Sequence, residues 1–294
     1  MRRIFCLSLP SMFQPIPFTP KHPVLQQHIG YYYFLKTDTC DFETRYYAFP
    51  HTHTVLNIHR KANFEIKNYY TRVYADPSTR YAACVQGIRE YPLLAHLQGQ
   101  LDKVTILFKP LGINHFISQP FGVLYTQPSE VFGAWDNEPE YHAFLKEFYD
   151  TDDTSIRANL LEAFLMSRYA PFAEYDVLAK SLELLSNFEL DLSVETISNQ
   201  LGLNVRTFNR LLKKHLGVSP VTYKKVARFR HSLQNKIFET GVKRMTDLAY
   251  QSNYYDQAYF NKIYRSLTGS NPQRFFNQVN SLADDRLIFQ FMKK

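Results

Sequence analysis

VETISNQLGLNVRTFNRLLKKHLGVSP, residues 194–220, and MTDLAYQSNYYDQAYFNKIYRSLTGSNP, residues 245–272, are two copies of one pattern. Ile197 aligns with Leu248 and Ser198 with Ala249, an offset of 51. Beyond the turn the offset is 52: Asn204 meets Asp256, Phe208 meets Phe260, Asn209 meets Asn261, Arg210 meets Lys262, Gly217 meets Gly269 and Pro220 meets Pro272. The second turn therefore holds one extra residue. A period of this kind marks a repeated supersecondary unit. Each copy has the parts of a helix-turn-helix. A short amphipathic helix stops at Gly202 or Asn253, residue types that tolerate the left-handed backbone of a sharp exit. An apolar residue, Leu203 or Tyr254, plugs the elbow, and Asn204 or Asp256 caps the next helix by accepting from its exposed amides.

The helical wheel divides the second helix of each unit into two faces. Phe260, Ile263, Tyr264 and Leu267 recur at core spacing, as do Phe208, Leu211, Leu212 and His215. Opposite them stand Arg206, Asn209, Arg210 and Lys213 in the first unit. Gln257, Ala258, Asn261, Lys262 and Arg265 take those places in the second. Tyr254 and Tyr264 read as core, while Tyr255 and Tyr259 fall at the margin. Arg and Lys can bond guanine O6 and N7, and Asn and Gln can bond adenine N6 and N7, along the major-groove edge of a base pair. A single such face is usually just solvated. Two matched faces, each preceded by a turn, point to duplex DNA, and a single-strand binder would need the tyrosines exposed instead.

Charge agrees with this division. Residues 193–280 carry fourteen Lys and Arg against Glu195, Glu239, Asp247 and Asp256, a net of +10 within a chain of +7, which leaves −3 for the rest. A basic segment of this density is the electrostatic footprint of a nucleic-acid module. The chain has 294 residues, enough for two domains, with 45% hydrophobic and 21% charged residues, as in an ordinary globular protein. No apolar run is long enough for a membrane-spanning helix. Cys6, Cys40 and Cys84 are scattered and odd in number, suggesting neither a disulfide framework nor a zinc site, and they fit a reducing cytoplasm. The leader MRRIFCLSLPSMF has a basic start and an apolar run, but it stops at Pro10 without a cleavage pattern. It reads as a poorly ordered leader rather than an export signal, with translation starting at Met1 or Met12.

Residues 175–280 resemble the DNA-binding domain of AraC/XylS-type bacterial transcription regulators. The resemblance rests on the double motif and on DQAYFNKIYR followed by a Gly and then a Pro before a final helix. It implies seven helices, with a long one over about Val221 to Phe238 joining the two units, and both recognition helices placed in successive major grooves on one face of DNA. It also implies base contacts from Arg206, Asn209 and Arg210 in the first unit and from Gln257, Ala258, Asn261 and Lys262 in the second, and RNA polymerase as a partner. The sequence departs from the pattern at Asn253, usually Gly, at Tyr254, commonly Phe, and at the small Ala258. On the joining helix, Lys224, Lys225, Arg228 and Arg230 read as general electrostatic support.

Upstream, YYYFLK, TVLNIH, FEIKNYY, YAACVQGI and KVTILFKP read as short strands separated by turn residues. YHAFLKEFY and SIRANLLEAFLMSRY then read as helices. The expectation is an α+β chain: a mostly-β regulatory, ligand-sensing or dimerising domain over 1–168 with helices at its end, an all-α DNA-binding domain over 169–280, and a tail over 281–294. KVTILFKPLGINHFI weakly resembles the strand and loop that close regulatory domains found ahead of this module. In PHTHTVLNIHR, residues 50–60, alternation puts His51, His53, Asn57 and His59 on one face and Leu56 and Ile58 on the other. A metal-dependent cupin-like enzyme or sensor built on His51 and His53 is the alternative reading, but no third ligand follows, so a solvated or hydrogen-bonded face is expected. No enzymatic activity, metal or cofactor is expected. A small-molecule effector and a homodimer are expected of the N-terminal half.

Overall fold

The computed structural model describes residues 17–238, 245–282 and 287–291. The leader, with Cys6 and both candidate starts, lies outside them. In chain order the first part comprises β1 (Pro17–Phe18), α1 (Pro23–His28), β2 (Ile29–Lys36), β3 (Glu43–Ala48), β4 (Thr54–Arg60), β5 (Ala62–Lys67), β6 (Tyr70–Ala75), β7 (Tyr81–Gln86), β8 (Leu93–Gln98) and β9 (Asp102–Phe108). A 3-10 turn at Gly112–His115, α2 (Phe121–Leu124), β10 (Ser129–Val131), α3 (Pro139–Asp150) and α4 (Thr154–Arg168) complete it. Seven helices follow among the described residues: α5 (Tyr175–Ser186), α6 (Val194–Gln200), α7 (Val205–Leu216), α8 (Pro220–Phe238), α9 (Met245–Gln251), α10 (Gln257–Thr268) and α11 (Pro272–Gln278). The chain is α+β, with a β-rich N-terminal half and a helical C-terminal half.

Two six-stranded sheets face each other, in the orders β1-β2-β9-β4-β7-β10 and β11-β12-β3-β8-β6-β5, where β11 is Asn280–Leu282 and β12 is Leu287–Phe291. All neighbours are antiparallel except β6 and β8. The first sheet is covered on both sides, which explains why β2 is apolar on both faces. Ile29 and Tyr32 pack toward Phe144, Phe148, Leu161 and Leu165 of α3 and α4. Tyr31, Tyr33 and Leu35 alternate into the space between the sheets, against Tyr46, Val73 and Leu97.

The segment read as a tail returns to the β half. Strand β12 pairs antiparallel with β3, Phe289 opposite Ala48 and Phe291 opposite Tyr46, so backbone from the far end of the chain closes that sheet's edge. FEIKNYY is not one strand. β5 ends at Lys67 and β6 begins at Tyr70, with a turn between them.

Candidate nucleic-acid interface

The two units are built by the same bonds. In the first, Ser193 Oγ caps α6 by accepting from Thr196 N at 3.0 Å, and Leu203 N donates to Ser198 O at 2.9 Å across the elbow. In the second, Tyr254 N donates to Ala249 O, also at 2.9 Å. Gly202 at φ +67° and Asn253 at φ +54° make the two left-handed exits. Asn204 Oδ1 then accepts from Thr207 N at 2.8 Å, and Asp256 Oδ1 from Tyr259 N at 2.6 Å, starting α7 and α10. Both helices end on a left-handed glycine, Gly217 and Gly269, each at φ 75°. The extra residue of the second turn is Tyr255, which is 90% exposed.

Burial separates the two faces of each recognition helix. Phe208 and Phe260 are both 0% exposed, and Leu212, His215, Ile263, Tyr264 and Leu267 are buried with them. Leu211 is only half-buried, packing at the edge of the first core. On the other face Arg206, Arg210 and Lys213 are exposed, as are Gln257, Ala258, Lys262 and Arg265, while Asn209 and Asn261 are half-exposed. Asn209 Nδ2 donates to Val205 O at 2.9 Å, which fixes its side chain along the helix. Tyr254 and Tyr264 lie in the core, as their spacing predicts, and Tyr255 and Tyr259 are exposed.

Cations fall into two sets. Arg206, Arg210, Lys213, Lys262 and Arg265 make no ion pair among the described residues. On the joining helix α8, in contrast, Lys224 meets Asp191 at 2.7 Å, Arg228 pairs with the same carboxylate, and Lys225 reaches Glu90 at 2.9 Å. The support expected of these three residues is spent inside the molecule. Asp191 and Glu90 carry no periodic or motif signal, so the sequence gives no warning of these pairings. Helix α8 has 19 residues, about 28 Å at 1.5 Å per residue. That length, with the widths of the two units added, suits the ~34 Å of one duplex turn.

Each unit is held against the β half. Helix α2 lies on the end of α7, where a side chain at Gly122 would collide with Lys213 O and stand 2.7 Å from Gly217 N. Asn114 Nδ2 donates to His215 O at 2.9 Å, satisfying a carbonyl in the last turn. The second unit rests on Phe49, whose ring meets Phe275 edge-on at 4.8 Å.

The histidine face of residues 50–60 turns inward, not to solvent. Leu56 and Ile58 take the side facing α3 and α4, so alternation sends Val55, Asn57 and His59 into the space between the sheets. His53 Nδ1 lies 2.7 Å from His51 Nδ1. Among the described residues no group of three or more His, Cys, Asp or Glu is placed to hold a metal ion, and no helix is long and apolar enough to cross a membrane.

Residues 197–278 match the family model described as a helix-turn-helix domain. With both turns, both buried faces and seven helices in place, the C-terminal part of the chain is a double helix-turn-helix domain similar to that of AraC/XylS-type regulators. Among curated proteins, the HTH-type transcriptional activator RhaS of Enterobacter sp. (strain 638) is 29% identical over 82 residues, 28% of this chain and 29% of that protein. The match thus spans less than a third of the relative's length. Solved structures of ToxT from Vibrio cholerae are similar to most of the chain at low identity. One with a bound unsaturated fatty acid has 17% identity and a TM-score of 0.43, covering 82% of this chain and 94% of that one. Another, at 1.65 Å resolution, has 15% identity and a TM-score of 0.43, covering 83% and 98%.

Proposed function

We propose that this chain is a sequence-specific double-stranded DNA-binding transcription regulator, not an enzyme, that lays α7 and α10 in successive major grooves. The observation that carries the reading is the pair of matched helix faces, exposed, cationic and unpaired on one side and buried on the other. Phosphate contacts would supply most of the affinity, and the side chains at Arg206, Asn209, Arg210, Gln257, Asn261 and Lys262 the base preference. Ala258 is too small for a hydrogen bond and suits a thymine methyl. Lys213 and Arg265, a turn further along, suit the flanking backbone. The β-rich half would modulate this activity through a small-molecule effector. Its contacts with both units are where such control would act.

Competition between duplex and single-stranded oligonucleotides of one sequence tests the class of ligand. Duplex should win, with log affinity falling steeply as log salt rises. Equal competition by single strands would overturn the reading.

A further inference from the structure

The space between the two sheets holds a cavity of about 40 Å³ with an unusual lining. Two cationic side chains, Arg89 and Lys103, reach it, together with His51, His53 and His59. Asp and Glu do not occur among its lining residues. Acids on the surrounding strands and their flanks are engaged elsewhere: Asp102 with Arg157 at 2.7 Å, Glu43 with His96 at 2.8 Å and Glu65 with Lys67 at 2.6 Å. Lys103 Nζ has only the neutral Asn57 Oδ1, at 3.2 Å, and the face of Tyr33, 5.6 Å from the ring centroid. Arg89 gives one amino group to Ala48 O at 2.9 Å, while its Nε has no partner. Both nitrogens of His59 and the hydroxyl of Thr71, all deeply buried, also lack partners. Burial draws the guanidinium of Arg89 down only to about 10, so it stays charged at neutral pH.

Buried charge is costly unless an opposite charge and hydrogen bonds meet it, and buried donors without partners add to that cost. Here the walls supply positive charge and donors but no anion. Since one water takes up about 10–15 Å³ of such space, the cavity suits an occupant of roughly three or four heavy atoms. We infer that this cavity is a binding site for a compact oxyanion, a short carboxylate or an inorganic anion such as nitrate, held between Arg89 and Lys103. The inference rests on the reading of the β-rich half as an effector domain and gives that effector a chemical class. Arg89 is bonded to the backbone of Ala48, one residue before the Phe49 that carries the second helix-turn-helix unit. An anion on Arg89 thus adjoins a contact between the two halves.

Thermal denaturation of the full chain, at constant ionic strength in a bulky-anion background such as gluconate, tests the site. Sodium acetate or sodium nitrate at about 50 mM should raise the midpoint by about 3–5 °C, and neutral acetamide should not. A rise with acetate alone assigns a carboxylate, with nitrate alone an inorganic oxyanion, and either supports the site. Lys103→Met should be at least as stable without the anion and should lose the response. Equal effects of acetate and acetamide, an undiminished response in Lys103→Met, or no rise with either anion would overturn the site. Operator affinity, measured in the same solutions, judges the effector reading separately. A raised midpoint with unchanged affinity keeps the site and removes the effector role.

Discussion

The two helix-turn-helix units share the left-handed exit, the elbow hydrogen bond, the cap of the second helix and its closing glycine, yet differ in what they present and what holds them. The first turns on Gly202, offers Arg206, Asn209, Arg210 and Lys213, and is clasped at the end of α7 by Gly122 and Asn114 of the β half. The second turns on Asn253, carries the added Tyr255, and offers Gln257, Ala258, Asn261, Lys262 and Arg265. It rests on Phe49 instead of a helix. One scaffold thus presents a guanidinium-rich face and a more neutral one. The difference lies in outward residues that the scaffold does not constrain.

The largest effects should come from the separate core of each unit. Phe208→Ala and Phe260→Ala should each cost about 3–5 kcal/mol, read by urea unfolding. Amide exchange should show each opening its own unit first, so equal loss of protection in both would break the picture of two separately cored units. On DNA, Arg210→Ala and Lys262→Ala should each weaken duplex binding by about 1–3 kcal/mol in anisotropy titrations. Arg210 should cost more, because its planar fork can make two bonds to one guanine and an ammonium cannot. A larger loss at Lys262 would reverse the ranking of the units. Gly202→Ala should destabilise by about 1–2 kcal/mol because it puts a Cβ in the left-handed region, whereas Asn253→Gly should be neutral or slightly stabilising. At the caps, Asn204→Ala and Asp256→Ala should each cost about 1 kcal/mol, seen as a shift in the urea midpoint.

Much of this was legible in the sequence because helices and elbows are local. The spacing of Phe208, Leu212, Phe260 and Tyr264, the caps at Asn204 and Asp256 and the one-residue change of offset all follow from period and turn chemistry. The strands of the β half were partly legible. Thr54 to His59 alternates clearly and Tyr31 to Lys36 stands out as a run of strand-forming aromatics apolar on both faces, but β3 and β8 carry weaker signals. What escaped was non-local. Nothing in residues 287–291 announces that they pair with β3, since an edge is closed by whichever backbone arrives there. Nothing near Lys224 or Arg228 announces Asp191. Alternation held for Asn57 and His59 on β4, whereas His51 and His53, expected on the same strand, stand in the bend before it, and the direction of the face depended on which side α3 and α4 would cover.

The account stands on two base-reading helices acting together, and selection of bound duplexes from a randomised library by the full-length protein tests this most directly. It predicts two half-motifs about one turn, ~10 bp, apart, with Arg210→Ala blurring one and Lys262→Ala blurring the other. A single motif, or variants that weaken all sequences equally while both half-motifs stay sharp, would contradict it.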